Sequence, residues 1–185
     1  NQSGADLSLI SGVASNFIVS AGGAQNVYSG GIAFDTVVES GGRQSVTQGG
    51  STVNVIQNSG AYIDVDVAKD AANINTAVTG TNQNGGAMSL SNGVAENFVI
   101  NTGGKQNVYS GGIANNTLVS GVQTVVMGGS ANYTEVAGGF QLVSSGGLAK
   151  NASVSMMGVQ DVTGGTAEGT IIGGFGTQTV AAGGS

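Results

Sequence analysis

The sequence predicts an all-β fold, a single-stranded parallel β-helix of roughly ten coils with a repeat of about 19 residues, and three observations carry that prediction. Glycine pairs recur at a fixed interval: Gly22-Gly23 and Gly30-Gly31 are followed 19 residues later by Gly41-Gly42 and Gly49-Gly50. Glutamine stands just inside a glycine corner at Gln25, Gln44, Gln106, Gln123, Gln141, Gln160 and Gln178, and the residue two further on is always valine: Val27, Val46, Val108, Val125, Val143, Val162 and Val180. The 185 residues include 35 glycines and no proline, only 8% are charged, and 39% are hydrophobic, mostly Val, Ile and Ala. A disordered linker of this glycine content carries fewer β-branched residues and more charge, whereas many short strands joined by tight corners need this mixture.

Each element of the unit follows from its letters. A fixed Gln and a fixed Val at period two, with variable residues between and around them, make a short strand whose Val faces inward. After the next corner comes Ala at Ala14, Ala33, Ala95, Ala114, Ala131, Ala149 and Ala167, with an aliphatic residue five positions on, from Val19 to Ile172. The position just before that aliphatic accepts Glu135 and Ser153, so it faces out and its neighbours face in. A unit this small cannot bury its few aliphatics alone. Stacked on copies of itself at about 4.8 Å per coil it can, as a rod about 45–50 Å long. The glutamines share the parity of the inward valines, and stacked amides can donate and accept from coil to coil.

Regularity is lost at about 68–84, and residues 92–116 then repeat 11–35 at a shift of 81 residues. Because 81 is not a multiple of 19, the stretch 68–84 carries an insertion within one continuous solenoid spanning 1–185. A start at Asn1 and a stop within the pattern at Gly183-Gly184-Ser185 imply a piece of a longer protein.

The available chemistry is narrow. Neither His nor Cys occurs, which removes the usual general base, the commonest metal ligands and any disulfide framework. The corners lack the Asp that glycine-rich calcium repeats require, so no metal and no cofactor is expected. Four Lys+Arg against ten Asp+Glu give a net charge of −6, with no basic footprint for nucleic acid. Asp64 and Asp66 share the outer face of one strand, with Asp70 near, and a carboxylate pair can serve glycoside cleavage. Only Lys69 stands close in sequence, and a solvated face is the better explanation of the group. Asn115, Asn132 and Asn151 begin Asn-x-Ser/Thr sequons, expected by chance in a chain so rich in these residues.

Serine precedes a glycine pair at Ser29, Ser40, Ser110 and Ser145, and a single glycine at Ser11, Ser59 and Ser120. A hydroxyl followed by residues without side chains is open to a modifying enzyme and is also a good turn residue.

The segments GGAQNVYSGGIAFDTVV and GGKQNVYSGGIANNTLV resemble the passenger repeats of AIDA-type self-associating autotransporter adhesins. The resemblance covers nearly the whole chain outside about 68–84, and the degenerate repeats and insertion are similar to the heptosylated adhesin/invasins of the Tib type. It implies export through an outer-membrane barrel, display on a Gram-negative surface, and a non-enzymatic role in host-cell adherence, autoaggregation and biofilm formation. It also implies O-heptosylation of repeat serines in the cytoplasm before export, with a dedicated protein heptosyltransferase, other passengers and a host-cell receptor as partners. Carried over, Ser29, Ser40, Ser110 and Ser145 are the leading acceptors, followed by Ser11, Ser59 and Ser120, while Gln48, Asn92, Met127 and Ala182 stand where serine is missing. Two other readings stay open: a carbohydrate-active β-helix enzyme centred on Asp64, Asp66 and Asp70, and a purely structural biofilm-matrix protein.

Overall fold

A computed structural model describes residues 4–66, 77–82 and 85–185. They wind into a solenoid whose described residues form two parallel sheets, one of ten strands and one of sixteen. The ten-stranded sheet stacks the Gln-x-Val strands in register, from Asp6–Leu9 through Ala24–Val27 and Arg43–Thr47 to Thr177–Val180. Gln25 lies beside Gln44, and Val27 beside Val46. Most coils advance by 17 to 19 residues, as from Lys105 to Val122 and from Ala24 to Arg43, but the coil from Tyr62 to Ala87 takes 25. Of the irregular stretch 68–84, residues 68–76, 83 and 84 lie outside the described residues. Ala77–Asn82 is a strand that pairs in parallel with Ser51–Gln57 on one side and with Val94–Glu96 and Val99–Ile100 on the other.

The two glycines of a corner have different jobs. The first holds positive φ, at 72° in Gly22 and 76° in Gly30, where a β-carbon is disfavoured. The second sits against the preceding coil: a β-carbon on Gly50 would lie 2.4 Å from the carbonyl oxygen of Val27. A third corner, between the two short strands of the second sheet, uses no glycine in most coils. There Asn16, Asp35, Asn54, Asn97, Asn116 and Asn151 adopt φ of 50–57°, a region that Asn and Asp tolerate. In the coil containing Asn54 this corner is flattened, and Ser51–Gln57 runs on as one strand.

The core is a narrow set of ladders. Val27, Val46, Val65, Leu90, Val108 and Val125 are fully buried in one column, and burial of each such side chain contributes about 1.5–3 kcal/mol. Beside it runs the glutamine ladder, also fully buried from Gln25 to Gln160. Each amide donates to the coil before it: Gln44 Nε2 to Gln25 Oε1 at 2.6 Å, Gln123 to Gln106 at 2.8 Å, Gln141 to Gln123 at 2.7 Å and Gln160 to Gln141 at 2.6 Å. Thr36, Thr134 and Thr170 add hydroxyl donors to the same oxygens from the opposite wall.

The ladder breaks where Ile63 and Met88 take the glutamine position. In the neighbouring coils the opposite change occurs on the second sheet. The inward column running through Val38, Ile100 and Val119 there holds Gln57 and Asn82, and Asn82 Nδ2 donates to Gln57 Oε1 at 2.9 Å. Amide and aliphatic thus exchange columns, and Asn82 and Gln57 bond to each other across the switch, while Gln44 Oε1 and Asn82 Oδ1 are buried there without a partner among the described residues.

At its N-terminal end the ladder is incomplete. Gln25 Nε2 is buried without a partner, and its register neighbour is the half-buried Leu7. A Leu7→Gln variant supplies the missing acceptor and is expected to gain about 1 kcal/mol in urea-induced unfolding. A loss of stability would show that the ladder ends where packing prefers it to.

Candidate functional site

The serine hydroxyls stand in two columns, one along each edge of the ten-stranded sheet. Ser11, Ser29, Ser110 and Ser145 belong to the corner after the Gln-x-Val strand, Ser40 and Ser59 to the corner before it, and all six are exposed. Ser40 and Ser59 occupy adjacent coils, as the bond from Gly41 N to Gly60 O at 3.0 Å shows. Ser11 and Ser29 do likewise, with Ser11 N donating to Ser29 O at 3.3 Å. Beneath each of these hydroxyls lies the positive-φ glycine of the next coil: a β-carbon at Gly49, Gly60 or Gly85 would come within 2.8 Å of Ser29, Ser40 or Ser59 Oγ. Glycine therefore leaves the hydroxyl uncovered on that side.

Ser110 lies between Asn92 and Met127, and Ser145 follows Met127, so these two are separated along the column. Ser120 differs from the rest. It sits in a coil of 17 residues, where a shortened corner leaves it half-buried with its hydroxyl donating to Ala137 O at 3.1 Å.

The carboxylates do not gather into a catalytic group among the described residues. Asp64 is paired with Arg43, Nη2 to Oδ2 at 2.9 Å, and the guanidinium lies 5.8 Å from the Tyr62 ring centroid. Arg43 stands 21 residues from Asp64 along the chain, so this partner emerges only once the strands stack. Asp66 is exposed beside Thr47 and Ser91, and Asp70 and Lys69 lie outside the described residues. No group of three His, Cys, Asp or Glu able to hold a metal occurs among the described residues.

Two shallow grooves follow the third corner. One, of about 700 Å³, is walled by Asn16, Asp35, Asn54 and Asn97 over an apolar floor of Val37, Ile56 and Val99. The other, of about 410 Å³, lies further along the rod, where Tyr133 replaces the usual corner asparagine. The sequence signal for this corner is an Asn or Asp two residues after the buried Ala, at Asn16, Asp35, Asn97, Asn116 and Asn151, which reading the inward positions alone passes over.

Fold and surface together define a β-solenoid stalk, a rod that sets short polar side chains in columns along its corners. A family profile described as "adhesin of bacterial autotransporter system, probable stalk" matches residues 1–61 and 79–139. The chain belongs to this AIDA family of autotransporter adhesins, whose members are displayed on the surface of Gram-negative bacteria. Among solved structures, the crystal structure of a TibA fragment hyper-glycosylated by TibC is similar, with 32% identity and a TM-score of 0.70 over 97% of this chain and 72% of that one. No curated sequence matches the chain.

Proposed function

We propose that this passenger segment is a non-enzymatic adhesive rod whose corner serines carry O-linked heptose. A dedicated heptosyltransferase adds the sugar in the cytoplasm before export, and the decorated faces mediate host-cell adherence, autoaggregation and biofilm formation. The observation that carries the reading is the placement of six serine hydroxyls on the sheet edges, each serine lying against a positive-φ glycine of the next coil. A sugar on such a hydroxyl projects from the rod without meeting a side chain on the neighbouring coil. The similar TibA fragment is itself hyper-glycosylated, which supports the same assignment here. Repeated weak contacts along two rods give avidity without a single strong site.

Intact-mass measurement of protein made with and without a heptosyltransferase tests the proposal. Increments of one heptose are expected, each abolished by Ser→Ala at Ser29, Ser40, Ser59, Ser110, Ser145 or Ser11. Ser120, with its hydroxyl engaged and half-buried, is expected to carry the lowest occupancy. An unmodified chain that depolymerised a polysaccharide would overturn the reading.

A further inference from the structure

The third corner of each coil needs one residue with positive φ, and the coils on either side of Tyr133 fill it with Asn116 and Asn151. Tyr133 takes the same conformation, at φ 54°, although an aromatic residue is strained there and asparagine is not. Packing does not account for the choice, because Tyr133 is 62% exposed. Nor does hydrogen bonding: among the described residues no bond reaches its hydroxyl or the side-chain amides of Asn116 and Asn151.

The neighbouring outward column runs Glu96, Asn115, Asn132, Lys150. Asn132 Nδ2 donates to Asn115 Oδ1 at 2.9 Å, and Asn115 Nδ2 to Glu96 Oε1 at 3.5 Å. This one-way chain fixes the amides and ends on a carboxylate that retains acceptor capacity. Lys150 is engaged by Glu168 at 3.5 Å. The notch between these side chains and the corner column is about 410 Å³, within the range of small-ligand clefts, roughly 300–1,000 Å³.

We infer that Tyr133, the free amides of Asn116 and Asn151, and the Asn132–Asn115–Glu96 chain form a binding site for a neutral pyranoside. The face of an aromatic ring is electron-rich and accepts the polarised C–H face of a sugar ring. Primary amides offer a donor and an acceptor in fixed relation, matching adjacent sugar hydroxyls, and Glu96 accepts from a third. An anionic ligand is disfavoured, because Glu96 repels it and the one cation of the notch is already paired. This site is separate from the serine columns and stands whether or not they are modified.

The test is a titration of the isotopically labelled chain with methyl α-mannoside, methyl β-glucoside and methyl β-galactoside, followed by amide NMR shifts. Saturable shifts are expected at residues 115–117, 132–133 and 151 with at least one sugar, with an affinity in the range of about 1 mM. The Tyr133→Asn variant, which restores the residue used in neighbouring coils, is expected to fold with a melting temperature at or above that of the parent. It should bind the same sugar at least about tenfold more weakly. A Tyr62→Phe variant, outside the notch, should bind unchanged. Absence of saturable shifts with all three sugars, shifts that map elsewhere, or full binding by Tyr133→Asn would each overturn the inference.

Discussion

A Gln123→Ala variant is expected to unfold at lower denaturant, with a stability loss of about 4 kcal/mol. Gln123 is fully buried, donates to Gln106 at 2.8 Å, and accepts from Gln141 at 2.7 Å and Thr134 at 3.3 Å. Alanine leaves a gap the stacked coils cannot close and strands two donors and one acceptor away from water. Gln123→Met keeps most of the volume and loses only the bonds, so it is expected to cost about half as much, roughly 2 kcal/mol. Equilibrium urea unfolding followed by circular dichroism separates the two. If both variants stay within about 0.5 kcal/mol of the parent, the ladder is not a source of stability.

The second large effect concerns adjacent glycines with opposite expected outcomes. A β-carbon on Gly147 would lie 2.1 Å from the carbonyl oxygen of Val125 and 2.6 Å from its carbon, both backbone atoms of the preceding coil. Gly147→Ala must therefore push two coils apart, and a loss of about 3 kcal/mol or more is expected. Gly146 has φ of 73° but its nearest neighbour to a β-carbon is 3.6 Å away, ordinary contact distance. Gly146→Asn, which tolerates that φ, is expected to stay within about 1 kcal/mol of the parent. Thermal melts of the pair check this, and equal losses would contradict the division of labour within the glycine pairs.

Much of the fold is legible because stacking turns sequence period into spatial columns. Once Gln25 and Gln44 share a register, the burial of Val27, Val46 and the glutamines follows from parity alone. The same logic places Ser29 and Ser40 on exposed corners. What escapes the sequence is whatever depends on contacts between unlike coils. Gln57 and Asn82 break the repeat's letters, and their partnership appears only when their strands pair. The Arg43–Asp64 pair spans 21 residues and is invisible along the chain. Ser120 looks like the other serines until the 17-residue coil withdraws its hydroxyl. Tyr133 reads as one more variable outward residue until its φ is known.

The exchange of amide and aliphatic columns around Ile63, Met88, Gln57 and Asn82 has a consequence for how the rod finds its own alignment. A perfectly periodic chain can dock any coil on any other, and a shift by one whole repeat preserves almost every contact. Here such a shift would set Gln57 against Ile100 in place of Asn82 and strand the two amides that bond each other, at about 1–3 kcal/mol each. The irregular coils thus work like the notch on a key, giving an otherwise self-similar molecule one correct phase.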